Sequence, residues 1–297
     1  MARKFQSVAV LKGGPSAERE ISLRSGAAVA GALREAGYAV REIDVIAPVL
    51  ELPPDVEAVF IALHGEFGED GQVQALLEER GIPYTGSGPA ASRRAFDKRL
   101  SKAVFVEAGI PTPAYEILDP TRPRRLPLPV VVKPPRQGST IGVSRVLAET
   151  EWPGALAEAC KYDHEVLVEE FVPGRELTVG VVGEEPLPLI EIVAPDGWYD
   201  YAAKYRAGGS RHLLPAPVDT ATADRCRTLA MQTFRALGCR GLGRVDFRLR
   251  PDGELFVLEL NSIPGFTETS LLPEAAREAG LSFRALCDRI MSLATLD

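Results

Sequence analysis

Two acids and an amide fall on what reads as one hairpin near the end of the chain. The stretch "GLGRVDFRLRPDGELFVLELNS" alternates on both sides of Pro251-Asp252-Gly253, a turn sequence that joins antiparallel strands. With Asp252-Gly253 as a two-residue loop, Asp246 faces Glu259, Arg244 faces Asn261, and the four side chains share one face. A three-residue Pro-Asp-Gly turn with a bulge slips the register by one and sends Asp246 and Glu259 to opposite faces. Opposed carboxylates repel unless a cation lies nearby, and an apolar strand raises that cost. Asp246, Glu259 and the Asn261 carbonyl are hard oxygen ligands suited to Mg²⁺ or Mn²⁺, and Mg²⁺ usually completes its shell with substrate phosphates. The hairpin therefore points to a metal and a nucleotide. The other reading has Arg244 and Arg248 pairing these acids on a wet sheet face.

A second chemical feature is "VVVKPPRQGSTIG", in which Lys133 ends a strand and Gly138, Ser139, Thr140 and Gly142 follow in a loop whose N–H groups could fold over phosphates. It lacks the Walker A spacing, and no G-x-G-x-x-G follows the first strand, so a dinucleotide fold is poorly supported.

The elements that must position these residues alternate strand and helix at the start of the chain: "SVAVL", an amphipathic run Glu18 to Ala36, "YAVREIDV", "AVFIAL", a helix from Gly71 to Arg80, and "IPYTG". That pattern predicts a parallel sheet wrapped by helices, with "KGGPSAE" and "HGEFGEDG" at the ligand-binding ends of its strands. A helix from Pro89 to Ala108 is expected next, then a Pro-rich linker, a small α+β module, a polar loop with aromatics from Trp198 to Leu214, a helix from Asp219 to Leu237, the hairpin, and two final helices. The fold class is mixed α/β and α+β in three domains, 1–96, 97–178 and 179–297.

Net charge −7 and a pI near 5.3 argue against nucleic acid as the main partner, and "RPRR" reads as a solvated loop. Apolar content of 45% supplies a core, while the run Ser7 to Leu11 is too short for a signal core or membrane span, so a cytoplasmic protein with no membrane partner is expected. The four cysteines, Cys160, Cys226, Cys239 and Cys287, have no C-x-x-C spacing and read as reduced core thiols.

In order along the chain, "KGGPSAEREISLRSG", "HGEFGEDGQVQA", "YTGSG" with "FDK", "VVVKPPRQGSTIGVS", "VEEFVPGRELTV", "YDYAAKY", "GLGRVDFRL" and "ELNSIPGFTETSLLP" resemble the D-alanine:D-alanine ligase family of the ATP-grasp superfamily, over nearly the whole length. The resemblance implies ATP bound between the central and C-terminal domains, and a carboxylate of D-alanine phosphorylated and then attacked by the amine of a second D-alanine. The dipeptide would serve peptidoglycan synthesis. Two Mg²⁺ (or Mn²⁺) on Asp246, Glu259 and Asn261 would offset the repulsion between carboxylate and γ-phosphate. Lys98 and Lys133 resemble phosphate-binding lysines, Glu169 and Glu176 the residues that hold adenine and ribose, and the backbone near Phe171 and Val172 the reader of the adenine edge; Lys204 is also implied at ATP.

Arg244 and the Gly265 N–H match the groups that stabilise the tetrahedral oxyanion, which gives Gly265 a reason to lack a side chain. Glu18, with Ser139 and Tyr205, is implied at the ammonium of the first D-alanine, supported by His64; as an acid before the first helix Glu18 could otherwise serve its dipole. Ser270 and the Leu271 N–H are implied at the second carboxylate, beside the alternative of a plain N-cap. Lys204-Tyr205 favours an amine acceptor over D-lactate, and Ala202, Thr140 and the Leu260 to Ile263 stretch depart from the usual pattern. A homodimer is implied by the resemblance alone. The rivals are another ATP-dependent carboxylate–amine or D-alanine:D-lactate ligase, and a binding protein without turnover.

Overall fold

The computed structural model describes residues 3–46, 49–194 and 209–297; Ala202, Lys204 and Tyr205 lie outside them. The first strand, β1 (Ser7–Gly13), pairs in parallel with β2 (Ala39–Val45) and β3 (Ala58–Ile61) in the order β2-β1-β3. Val8 to Leu11 are wholly buried because helices cover both faces of a parallel sheet. The expected strand "IPYTG" contributes only single-residue bridges, from Tyr84 to Val59 and to Thr295. Pro83 has no N–H to give a ladder, and Gly86 turns the chain at φ 89°.

Helix α1 (Arg19–Glu35) packs on this sheet, and the last helix of the chain (Phe283–Ser292) seals the same core, so Val8, Val10 and Leu33 share it with Leu286, Ile290 and Met291. Each such buried aliphatic side chain contributes about 1.5–3 kcal/mol. The two ends of the sequence are thereby fastened together, which carries the segment Gly265 to Leu271 up to the loops that follow β1 and β3.

The helix expected from Pro89 to Ala108 is two helices, α3 (Pro89–Phe96) and α4 (Lys98–Glu107), after α2 (Gln72–Glu79). Asp97 between them is extended, at φ −83° and ψ 104°, and its carboxylate accepts the Arg99 N–H at 3.0 Å. An N-cap carboxylate satisfies a donor that a continuous helix would have used internally, and it restarts the chain in a new direction. Lys98 follows immediately, its N–H bonded to Pro135 O at 3.0 Å.

The central module is an antiparallel sheet of β4 (Tyr115–Leu118), β5 (Val130–Lys133), β6 (Ser144–Val146) and β7 (Val166–Glu170), ordered β4-β7-β5-β6 and backed by α5 (Trp152–Ala159). The last sheet runs β11-β10-β8-β12-β13, from Arg211–Leu213 through Ile190–Val193, Arg175–Val182 and Leu242–Leu249 to Leu255–Asn261. The two-residue β9 (Glu185–Pro186) pairs off this path with β8, and α6 (Thr220–Ala236) covers one face. The expected final helices are α7 (Leu271–Glu278) and α8 (Phe283–Ser292).

The hairpin combines both anticipated registers. At its tip Leu249 pairs with Leu255, Arg250 N–H donates to Glu254 O at 2.8 Å, and Gly253 stands at φ 87°. That is the three-residue Pro-Asp-Gly turn, not the two-residue loop. A bulge then inserts Leu258 opposite the Asp246–Phe247 step, so that beyond it Asp246 pairs with Glu259 and Arg244 with Asn261. The one-residue slip is cancelled before it reaches the acids, and the four polar residues share a face after all. Gly253 supplies a left-handed conformation with nothing within 4 Å of an added Cβ, so Gly253→Ala tests backbone strain alone. It is expected to lower stability by about 1 kcal/mol in urea denaturation.

Candidate active site

A cleft of about 810 Å³ opens between the central sheet and the hairpin, lined by Lys98, Lys133, Glu169, Glu176, Asp246 and Glu259, with Phe171 and Val172 on its wall. A second pocket of about 1290 Å³ adjoins it, lined by Glu18, His64, Arg244, Asn261, Gly265, Ser270 and Leu271. Gly138 and Ser139 line both. The hairpin face is therefore shared: its two acids front the first cleft, its arginine and amide the second.

The loop between the cavities is strained. Ser139 and Thr140 are left-handed at φ 51° and 61°, a conformation that costs a side chain of order 1 kcal/mol or more, most for β-branched threonine. The strain is held by contacts at both ends. Lys98 Nζ donates to Gln137 O at 2.8 Å, and the Ser139 hydroxyl donates to the Glu18 carboxylate. A Cβ on Gly138 would lie 2.6 Å from Glu18 Oε2, so this acid approaches the loop backbone only because residue 138 is glycine. Glu18 stands before α1 but makes no side-chain cap bond; it serves the loop instead.

Among the described residues, cations meet the repulsion expected between the opposed acids. Arg244 donates to Asp246 through Nε at 2.8 Å and Nη2 at 2.7 Å, and Lys98 Nζ lies 3.3 Å from Glu259 Oε2. Thr178 Oγ1 and Asn261 Nδ2 also donate to Asp246, at 2.6 and 3.1 Å. Arg248 does not join this pairing: it binds Glu176 at 3.1 Å and the Val172 carbonyl at 3.1 Å, which fixes the far wall of the cleft.

Asn261 spends its amide nitrogen on Asp246, and strand pairing puts its amide oxygen on the same face as the two carboxylates. No group of three or more His, Cys, Asp or Glu side chains gathers as a metal site among the described residues. The donor set therefore suits an ion that draws its other ligands from phosphate and water, which fits Mg²⁺.

Lys98 and Lys133 are buried, at 9% and 7% exposure, unlike ordinary solvated surface lysines. At the adenine edge expected from the sequence, the Phe171 N–H is spent on Pro129 O at 3.0 Å and the Val172 carbonyl accepts from Arg248 Nε at 3.1 Å. Ser270 precedes α7 without capping it; its hydroxyl meets the Thr267 N–H at 3.0 Å and Thr267 Oγ1 at 2.9 Å. Gly265 has no left-handed φ, and a Cβ there would meet Ser270 Oγ at 3.4 Å, so among the described residues nothing demands glycine.

His64 is buried beneath the second pocket, where Nδ1 meets Ile263 O at 3.1 Å and Nε2 meets Ser25 Oγ at 3.2 Å. Burial pushes its pKa down, but the Glu69 carboxylate 3.6 Å away, with Glu18 and the Ile263 carbonyl, more than offsets this and raises it. A group whose pKa is raised on folding stabilises the protein fully below its unfolded pKa, and that contribution disappears as pH rises through the folded pKa. The stability difference between wild type and His64→Asn, measured by urea denaturation, is expected to shrink as pH climbs above about 6.5.

The D-ala D-ala ligase C-terminus family model matches residues 104–292, and the D-ala D-ala ligase N-terminus model residues 44–87. The chain belongs to the D-alanine:D-alanine ligase family. The D-alanine–D-alanine ligases of Desulforudis audaxviator and Syntrophotalea carbinolica are 49% and 48% identical to it, over 97% and 98% of this chain and 98% and 97% of theirs. Among solved structures, the Bacillus anthracis D-alanine–D-alanine ligase complexed with ATP superposes with a TM-score of 0.86 at 30% identity, covering 97% of each chain. The VanG D-Ala:D-Ser ligase of Enterococcus faecalis gives 0.85 at 29% identity, over 98% of this chain and 99% of that one. The architecture is the ATP-grasp fold expected from the sequence.

This ligase-family site contains polar groups that the motifs alone did not reveal. Thr178 lies in "GRELTVGVVG" and was hidden among apolar neighbours; only strand pairing sets it beside Asp246. Glu69 belongs to the recognised "HGEFGEDG" but gained a purpose only when the loop folded back on His64. Lys102 had a legible signal: it follows Lys98 by one helical turn in "KRLSK", and it is wholly buried.

Proposed function

We propose that the chain joins two D-alanines into D-alanyl-D-alanine for peptidoglycan synthesis, with ATP as the energy source. The observation that carries this is the pair of cavities meeting at one hairpin face, with Asp246 and Glu259 on the nucleotide side and Arg244 on the other. A γ-phosphoryl group and an amino-acid carboxylate would meet at that junction. In the first step a carboxylate oxygen of D-alanine bonds to the γ-phosphorus while the bond to the β–γ bridging oxygen breaks, releasing ADP. In the second, the amine of another D-alanine bonds to the acyl carbon, loses a proton, and expels phosphate.

Lys98 and Lys133 receive the phosphates, and Glu169, Glu176, Phe171 and Val172 receive adenosine. Asp246, Glu259 and Asn261 hold two Mg²⁺ (or Mn²⁺), which supply charge neutralisation between the two anions. Glu18 and Ser139 hold the first ammonium over His64, Arg244 and the Gly265 N–H receive the oxyanion, and Ser270 with the Leu271 N–H takes the second carboxylate at the start of α7. Lys204 and Tyr205, assigned from the resemblance, belong with the ATP and ammonium sets. The same likeness supports three domains at 1–96, 97–178 and 179–297, a homodimer, and a cytoplasmic location. Among the described residues no helix is long and apolar enough to cross a membrane.

The test follows ADP and phosphate release with D-alanine, with D-alanine plus D-lactate or D-serine, and with L-alanine, and identifies products by mass. Dipeptide from D-alanine alone is the expected result. Turnover only with D-lactate or D-serine present would reassign the second substrate, and no turnover with any would sink the enzyme reading.

A further inference from the structure

Lys102 lines neither cavity, yet its side chain is 0% exposed and its charge is fully enclosed. Nζ lies 2.5 Å from Glu169 Oε1, off the line of a well-formed hydrogen bond, while Lys133 Nζ meets the other oxygen, Oε2. Glu169 is itself 2% exposed. A third contact orients the ammonium: it donates to Thr112 Oγ1 at 2.5 Å, and that hydroxyl donates its own proton to Val257 O at 2.8 Å. The threonine oxygen can then only accept from Lys102. Val257 adjoins Leu258, the bulged residue that sets the register of Glu259. The Tyr115 ring, with its centroid 6.0 Å from Nζ, closes another side.

Two lysines on one carboxylate is an excess of buried positive charge, and it makes sense only if one of them has another task. Lys133 lines the cleft and is the one proposed to turn to phosphate; Lys102 cannot reach it. We infer that Lys102 is a positioning residue for nucleotide selection: it stays on Glu169 when ATP draws Lys133 away, and so keeps this acid ionised and fixed as an acceptor for the exocyclic amino group of adenine. The inference rests on the ligase reading, in which Glu169 faces adenine. Without a permanent counter-ion, a carboxylate buried this deeply would take up a proton or swing toward the remaining lysine. A protonated or displaced acid would no longer distinguish the amino group of adenine from the oxo group that guanine carries at the same position. Burial pushes Lys102 down only to about 8, since Glu169 opposes it, so it is still an ammonium at neutral pH. For Glu169 burial works against the charge, and Lys102 and Lys133 together hold its pKa below the usual carboxylate range.

The experiment measures ATP and GTP binding calorimetrically, without D-alanine, to wild type, Lys102→Met, Glu169→Gln and the double variant. Lys102→Met is expected to weaken ATP about 30-fold and to narrow the preference over GTP, with kcat at saturating ATP changed much less than KM. In the Glu169→Gln background the same substitution should cost less than about threefold, because the group through which Lys102 acts has gone. The double variant removes both charges at similar volume, so this comparison survives even if Lys102→Met fails to fold. A further tenfold loss in the double variant relative to Glu169→Gln, or an unchanged ATP-to-GTP ratio in a folded Lys102→Met, would overturn the inference. A wild type that binds no ATP would sink the ligase reading itself and this inference with it, whereas intact ATP binding with additive substitutions would sink the inference alone.

Discussion

Glu259→Gln is expected to lower turnover by about 10³-fold while the protein still folds and still binds ATP. The side chain keeps its length, so the pairing of residue 259 with Asp246 and the bulge at Leu258 are retained. What is lost is one anionic oxygen at the junction of the two cavities. Lys98, 3.3 Å from Glu259, would lose its ion-pair partner but keep the Gln137 carbonyl. Because Glu259 keeps 25% side-chain exposure, the stability change should be small beside the loss of rate. Rates measured over a Mg²⁺ titration separate the causes: activity restored at high Mg²⁺ marks a weakened metal site. A variant that turned over at the wild-type rate in ordinary Mg²⁺ would remove Glu259 from the metal site.

Arg244→Met should cost about 10²- to 10³-fold in dipeptide formation, the usual loss when one preorganised donor to an oxyanion is removed. Its side chain is 13% exposed and lines the second pocket, whereas its partner Asp246 lines the first. The two half-reactions should therefore respond differently. Isotope scrambling within ATP in the presence of D-alanine reports phosphorylation and its reversal, and it should persist in the variant. Equal loss of scrambling and of dipeptide would instead make Arg244 a support for Asp246, with no separate part at the oxyanion. Asp246 retains Thr178 and Asn261 as donors in the variant, so the hairpin face is expected to stay in place.

The hairpin shows how far pattern alone could reach. Alternation and Pro251-Asp252-Gly253 left two registers open: the turn has the three residues of one, and the bulge gives the acids the pairing of the other. A bulge leaves little trace in composition, because Leu258 is an ordinary strand residue; its cause is strand twist and pairing. The break between α3 and α4 was legible in principle, since Asp97 is a good N-cap, but apolar periodicity on both sides concealed it. Tyr84, in a segment whose pattern predicts a strand, makes only a pair of bridges, because ladder formation depends on neighbours beyond the local sequence.

What the sequence determined by itself was the chemistry at hand: which residues carry carboxylate and amide oxygens, ammonium groups and a glycine-bearing loop, and in what order along the chain. Those follow from residue types and local periodicity, which folding does not alter. The tertiary structure decided which charges meet. Glu18 reaches Ser139 across 121 positions, and the final helices bring Ser270 to the pocket of His64 by sharing a core with the first strand. It also decided that Arg244 serves Asp246 while Arg248 serves Glu176, and that Lys102 stands behind Glu169. Charge pairing acts over a few ångströms of space and is set by packing, so residues far apart in sequence acquire partners only when the sheets and helices close on one another.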